Sequence, residues 1–578
     1  MMSSKQLLFI LFFVVISLMF DNNAIASTWL FKDSRSSYQI VLPKDASLSE
    51  KKAAQELQVY LYKISGANLP ITSEYKKGGK NIIVGYTPEV AQLTGAPKPP
   101  KDDESFAYRR IGNNLLIWGG RQRGTMYGVF TFLERELGIH WLTPECTVIP
   151  KYNRWRLKRL NHSESPAIKY RYNNYFVSNG SPAWSAHVKE NMRGVYSEEF
   201  GGQEDYWGCH TMGQFVSVSE FYGSHPEYFC LRGGKRLSKD EQLCLSNPNV
   251  LKICKERLAK TMRERTNSRI YCLSQNDNYN FCECESCAAI ENQYGGHSGL
   301  ILWFVNQVAD AVYDEFPEKY VGTFAYQYSR KPPVGIAPRK NVVVRLCSLE
   351  CCFAHPLTSG CRQNESFMND LKGWSAIAPR LFVWDYIVDF AQYLAPWPNF
   401  QVLAPNIRAF RDNNAIGVFE EAHFSSCGGE FEEMKSWVVN QLLWNPEQDV
   451  DSLVNIFIKG YYGKTASLIK KYYDLCQKQL KPDLHFGIFI KEDHILYNDD
   501  FILKAFTILD KALYLADNDE VKQRVARVRM QPLYLYCMRN KEQAKRDGKL
   551  NELIAIMRKY NANPGGGRKL EDFVLSQK

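Results

Sequence analysis

Ile270-Tyr-Cys-Leu-Ser-Gln-Asn-Asp277 is a short apolar run that ends on a carboxylate, and three later runs repeat the pattern: Val342-Val-Val-Arg-Leu-Cys-Ser-Leu-Glu350, Leu381-Phe-Val-Trp-Asp385 and Ile416-Gly-Val-Phe-Glu420-Glu421. Asp277 and Glu350 are 73 residues apart, whereas Glu350 to Asp385 and Asp385 to Glu420 are 35 each. A strand with its crossover helix takes about 30 residues or more, so the long gap holds two units. The run Tyr320-Val-Gly-Thr-Phe-Ala-Tyr-Gln-Tyr328 lies inside it as the missing strand. Acids at the C-terminal ends of successive parallel strands are where a (β/α)8 barrel carries its chemistry.

Counting outward from these runs gives the other strands. Ala167–Tyr172 reads as strand one, Cys209–Phe215 as strand two and Gln242–Ser246 as strand three. The runs ending at Asp277, near Tyr328, and at Glu350, Asp385 and Glu421 are strands four to eight. Helical periodicity fills the intervals 299–316, 366–377 and 404–412. The predicted fold is α/β: a TIM barrel over residues 165–445, preceded by a small α/β domain over 27–150 and followed by a helical region over 446–578.

In the N-terminal part, 38–42, 81–85 and 114–118 read as strands. Ser47 and Ser49 can cap a helix over about 50–64, and a second helix over about 124–137 stops at Gly138. After Trp444-Asn-Pro446 the pattern is helical over 450–461, 465–480, 501–516 and 520–539. At the other end, Lys5, the apolar stretch from Leu7 to Phe20 and Ala24-Ile-Ala26 have the form of a secretory signal over 1–26. The expectation is therefore an exported product, periplasmic or extracellular, without stable membrane insertion after cleavage. The apolar stretch is shorter than the roughly 20 residues of a membrane span.

The chain has 578 residues, too many for one core, and a formal charge of +10 spread along its length. No basic stripe marks a nucleic-acid surface. Its 33 Tyr, 32 Phe and 12 Trp suit a protein that stacks rings on the apolar faces of sugars, although large cores also use aromatics. No G-x-S-x-G elbow, P-loop, dinucleotide fingerprint or H-E-x-x-H motif occurs in a suitable context, so no cofactor is predicted.

Glycoside hydrolysis needs a proton donor for the leaving oxygen and a second group opposing it, with environments that push their pKa values apart. The candidates are Asp277, Glu350, Asp385, Glu420 and Glu421. Alternation along a strand turns only one of Glu420 and Glu421 toward the barrel axis, unless the chain has already bent. Aromatic and polar companions at the same ends are candidate substrate contacts: Asn276, Trp207, His210, Tyr326, His355, Trp384, Tyr386 and His423. Cys282-x-Cys284-x-x-Cys287, just after Asp277, fits either a disulfide or three ligands of a structural zinc.

Two resemblances follow. Ala53-Ala-Gln-Glu-Leu57, Ile64-Ser-Gly66, Gly124–Glu134 and Leu137-Gly-Ile-His-Trp-Leu142 resemble the domain that precedes the barrel in family 67 α-glucuronidases and family 20 hexosaminidases. Residues 167–445 resemble the large family of domain of unknown function 4838. The matching residues are His225-Pro-Glu-Tyr-Phe229, Leu243-Cys-Leu-Ser-Asn-Pro248, Asn276-Asp277 with the cysteine cluster, Phe353-Ala-His355, Gly417–Glu421 and Leu442-Leu-Trp-Asn-Pro446. One branch, glycoside hydrolase family 163, comprises endo-β-N-acetylglucosaminidases acting on complex N-glycans. The resemblance implies an exported hydrolase of an oligosaccharide or glycoprotein glycan that contains N-acetylhexosamine, with Asp277 as proton donor or as half of an acetamide-orienting pair. Asn276 stands where such relatives more often carry a second acid. The alternatives are an α-glucuronidase-like uronosidase and a glycan-binding barrel without catalysis.

Overall fold

The computed structural model of the chain describes residues 28–192, 197–239 and 241–577; the expected export signal falls outside them. The described chain forms two compact units. One takes the residues up to His140 with Val148–Ser165 and Glu198–Gly201, and the other takes Trp141–Thr147, Pro166–Ser197 and everything from Gly202 on.

The first unit is built on a six-stranded mixed sheet. Its parallel strands Gln39–Val41, Asn81–Val84 and Asn114–Gly119 are the apolar runs read from sequence. Antiparallel Phe106–Ile111 and the edge strand Asn161–Glu164 extend the sheet. The first helix, Leu48–Ser65, opens with a reciprocal capping box between Ser47 and Glu50 and stops at Gly66 in the left-handed conformation.

The second unit is an α/β barrel with a helical C-terminal region. Seven parallel strands lie side by side in the order Tyr170–Asn173, Ala415–Glu421, Leu381–Tyr386, Val342–Cys347, Tyr320–Ala325, Ile270–Cys272 and Tyr206–Trp207. An isolated residue fills the gap between the two ends of this series. The Asn191 and Met192 amides both donate to the Arg171 carbonyl, and the Asn191 carbonyl accepts from the Glu204 amide. Met192 also forms a parallel bridge with Glu204 and packs in the interior with Tyr172, Tyr206, Phe324, Phe382 and Phe419. The circuit is closed by a single bridge where a full strand was expected.

Two strand assignments are corrected. The second of the predicted strands is helical at Met212–Phe215, and the barrel strand lies just before it at Tyr206–Trp207. The third, 242–246, is no barrel strand. Its apolar side chains are buried in an excursion, where the Cys230 amide donates to Gln242 and the Cys244 amide to Tyr228, so Tyr206–Trp207 pairs directly with Ile270–Cys272. Strands four to eight fall where the carboxylate-terminated runs put them. Gly417 is required by the interior, since a Cβ there would lie 2.5 Å from the Phe382 ring.

Helices Pro248–Glu264, His297–Tyr313, Arg362–Ile377 and Phe400–Asp412 lie between successive strands, and Glu432–Trp444 follows the last. The C-terminal region contains Val450–Tyr462, Ala466–Gln477, Asp499–Leu515 and Asp519–Arg539, with three further helices beyond them among the described residues. No helix among the described residues is long and apolar enough to cross a membrane.

Candidate active site

The C-terminal ends of the barrel strands open into a cleft of about 310 Å³. Asp277, Tyr326, Trp384, Tyr386 and Glu421 line it, each from a different strand end except the Trp384 and Tyr386 pair. Strand alternation explains the selection. Phe382 and Phe419 point into the barrel interior, so Trp384, Tyr386 and Glu421, at even spacing from them, share that face and emerge at its mouth.

Of the two acids that line the cleft, Glu421 is the one with a raised carboxyl. Burial, with the Asp277 charge adding to it, raises its carboxyl to about 7 against a hydrogen bond from Trp384 that lowers it. The Trp384 indole N–H donates to Glu421 Oε2 at 2.8 Å, which leaves Oε1 to carry the proton. Asp277 sits in a polar setting. Its Oδ1 accepts from the Tyr326 hydroxyl at 2.9 Å and from the Gln327 amide at 3.3 Å. Burial first, and then the bond to Asp277, hold the Tyr326 hydroxyl in its protonated, donating form. One cleft thus contains two carboxyl groups in contrasting environments, the arrangement that acid–base division of labour requires.

The other three acids lie elsewhere. Asp385 and Glu420 are in register across neighbouring strands and face away from the cleft. Asn173, in register with Glu420, points to the same outer face, where its amide donates to Ser436 of the helix Glu432–Trp444. Both acids are almost fully buried. Burial pushes Asp385 up to about 6, with the Ser348 hydroxyl holding it down somewhat. Glu420 is raised well above the carboxylate range by burial and by Asp385, and its Oε2 has no hydrogen-bond partner. Glu350 is drawn off to Arg330 at 2.8 Å, a guanidinium that also binds Asp370.

Among the expected substrate contacts, His210, Tyr326, Trp384 and Tyr386 line the cleft. His210 is held at a positive φ of 51°, with Nδ1 against the Gln275 carbonyl at 2.7 Å. The remaining four do not line it. Trp207 packs against Phe215 and Tyr271. Asn276 braces its loop, donating to the Glu241 carbonyl and accepting from the Gly213 amide. His423 is buried, stacked on Tyr393 and bonded to Ser426, and burial lowers it to about 3, so it stays neutral. His355 lies beside Cys352 in a separate cluster.

Sequence reasoning missed Phe324, Phe390, Ile488 and Phe489, which complete an apolar, aromatic lining. Phe324 and Phe390 flank predicted strand ends and could have been proposed. Ile488 and Phe489 arrive from a loop about a hundred residues downstream, and no local pattern announces them. No Lys or Arg lines the cleft among the described residues. A larger cavity of about 480 Å³ lies beside the loops after the first and last strands, but its acids are already engaged. Glu433 pairs with Arg527 there, and Glu432 accepts from the Val177, Gly428 and Gly429 amides.

None of the sixteen cysteines is in a disulfide. Cys282, Cys284 and Cys287 do come together, joined by Cys244 from the 242–246 segment.

The sequence profile of the family described as "Domain of unknown function (DUF4838)" matches residues 141–474. No curated protein matches the chain in sequence. Among solved structures, the fold is similar to that of BtGH115A, a family GH115 4-O-methyl-α-glucuronidase with specificity for decorated arabinogalactans. The TM-score is 0.55 at 12% identity, over 94% of this chain and 78% of that one. A chitobiase of Flavobacterium johnsoniae, FjGH20, matches with a TM-score of 0.43 at 12% identity, over 92% of this chain and 93% of that one. The first likeness identifies the fold as one that glycoside hydrolases use.

Proposed function

Because the chain belongs to the family of domain of unknown function DUF4838, we propose that it is an exported glycoside hydrolase acting on a complex glycan that contains N-acetylhexosamine. The observation that carries this reading is the pair Asp277 and Glu421 in one aromatic-lined cleft at the barrel mouth, with Glu421 raised to about 7. Export rests on the leader-like N-terminus of the sequence alone.

The two environments suggest the roles. Glu421, protonated near neutral pH and free at Oε1, donates to the glycosidic oxygen as the bond to the anomeric carbon breaks. Asp277, held by Tyr326 and Gln327, faces the positive charge that develops on the sugar, either attacking it or activating water. This reverses the donor role that family resemblance implies for Asp277. Trp384, Tyr386 and Phe489 offer ring faces for the apolar sides of the sugars.

The uronosidase alternative calls for a cation facing the substrate carboxylate, and the cleft lining lacks one. Incubating the purified chain with complex N-glycans, chitooligosaccharides and aryl glycosides of N-acetylhexosamines and glucuronic acid tests the proposal. Cleavage of the N-acetylhexosamine substrates is expected. Cleavage of glucuronides alone would overturn the substrate class, and glycan binding without hydrolysis would favour the non-catalytic alternative.

A further inference from the structure

Two groups of side chains outside the cleft have the composition and spacing of metal sites. The first is Cys352, His355, Cys361 and His485, and the second is Cys244, Cys282, Cys284 and Cys287. Within each group the potential ligand atoms all lie within 4.8 Å of one another. We propose that the chain binds two structural zinc ions, one in each group. This inference does not depend on the proposed reaction.

The distances decide between zinc and other uses of the thiols. Zn–S bonds of about 2.3 Å at tetrahedral angles put sulfur atoms about 3.8 Å apart, and a Zn–N bond of about 2.0 Å puts nitrogen about 3.5 Å from sulfur. In the first group Cys352 Sγ is 3.4 Å from His355 Nδ1 and 3.4 Å from His485 Nδ1, and Cys361 Sγ is 3.6 Å from His485 Nδ1. In the second, Cys244 Sγ is 3.6 Å from Cys284 Sγ and 3.9 Å from Cys287 Sγ. A disulfide would bring two sulfurs to about 2.05 Å. These separations match edges of a tetrahedron around one ion, and every other ligand pair lies within 4.8 Å.

Outer contacts orient both sets. His355 places Nε2 at 3.0 Å from the Pro482 carbonyl, which fixes the tautomer that leaves Nδ1 for a metal. Asn364 ties the same loop, accepting from the Cys352 amide and donating to the Cys352 and His355 carbonyls. In the four-cysteine group the Leu231 amide donates to Cys282 Sγ at 3.3 Å, and the Arg236 guanidinium approaches it at 3.9 Å. The Ser246 hydroxyl is 3.1 Å from Cys287 Sγ. These donors suit thiolates. Binding aqueous zinc would release the protons of the ligating thiols, two from the first group and four from the second.

The placement gives each ion a task. His485 precedes Ile488 and Phe489, so the first ion would clasp this cleft wall to the loop after the Val342–Cys347 strand. The second would fix the 242–246 segment to the loop after Asp277. Gln242, two residues from Cys244, bonds to the Asn276 amide and carbonyl and so fastens the backbone next to Asp277.

Elemental analysis and native mass spectrometry of the full chain, purified without chelator and dialysed against zinc, test the proposal. Two zinc ions per chain are expected, with Cys361→Ser and Cys284→Ser each lowering the count by one. Metal-free protein, or an intact mass showing disulfides at these cysteines, would overturn both sites. A count unchanged by either substitution would overturn the site it belongs to. If a variant does not fold, iodoacetamide labelling of the native wild type decides. Ligand cysteines that react only after a chelator is added support the sites, and equal labelling with and without chelator rejects them.

Discussion

Trp384 and Glu421 occupy neighbouring strands of the barrel, and the indole N–H of one holds Oε2 of the other at 2.8 Å. This bond ties a ring that walls the cleft to the carboxyl proposed as its proton donor. It also opposes the burial that raises this acid to about 7.

The pH dependence of hydrolysis follows from that acid. With Glu421 as proton donor, activity requires its protonated form, so kcat/KM should fall as pH rises through about 7. Glu421→Gln cannot ionise. Its residual activity should lose this basic limb, and aryl glycosides with good leaving groups should regain rate where natural glycans do not. A basic limb unchanged in the variant would assign the limb to another group.

Trp384→Phe keeps a ring and removes the donor. Because the hydrogen bond favours the ionised carboxylate, its loss should move the basic limb upward. Hydrogen bonds to charged groups contribute about 1.5–3 kcal/mol, which corresponds to about 1 to 2 pH units. A pH–rate profile that does not move would show that the bond leaves the reacting state untouched.

Tyr326→Phe removes the hydroxyl that donates to Asp277 at 2.9 Å. The expected loss is about tenfold or more in kcat, with KM less affected, since the hydroxyl positions a group whose charge matters most in the transition state. A rise in KM at unchanged kcat would instead make Tyr326 a binding residue.

Stability should fall as pH rises from about 4 to about 8. Burial raises Asp389 from near 3.8 to about 8, and its Oδ2 has no partner. Below about pH 4 the group is protonated in both folded and unfolded chains, and its full contribution is present. Between about 4 and 8 only the unfolded chain releases the proton, so stability declines by up to about 1.4 kcal/mol per pH unit. Asp389→Asn should flatten that share of the slope in chemical denaturation at pH 5, 6.5 and 8. Parallel curves for the two proteins would contradict the assignment.

Most of the barrel could be read from its carboxylate-terminated runs because a parallel strand buried on both faces is a compact apolar word, and its end is where polar chemistry is allowed. The two places that failed are those where the strand almost vanishes. Tyr206–Trp207 is two residues long, and Met192 fills its position through one bridge, so neither leaves a periodic signal. The 242–246 run is equally apolar but serves a local excursion, which composition alone cannot distinguish from a strand. At the site, alternation predicted that one of Glu420 and Glu421 would turn inward, and the interior positions of Gly417 and Phe419 decide for Glu421. Glu350 has the same sequence signature as Asp277, yet Arg330 draws it away, a contact made across the fold. Cys244 stayed hidden for the same reason: it lies far from the C-x-C-x-x-C cluster in sequence and reaches it only through folding.

In the proposed reaction Asp277 and Glu421 act together on a glycosidic bond. The decisive measurement is hydrolysis of an N-acetylhexosamine-containing glycan by wild type, Asp277→Asn, Glu421→Gln and, as a control outside the cleft, the Arg330-paired Glu350→Gln. Losses of about 10²-fold or more in kcat are expected for the first two variants, and little change for Glu350→Gln. Undiminished turnover in either Asp277→Asn or Glu421→Gln would contradict it.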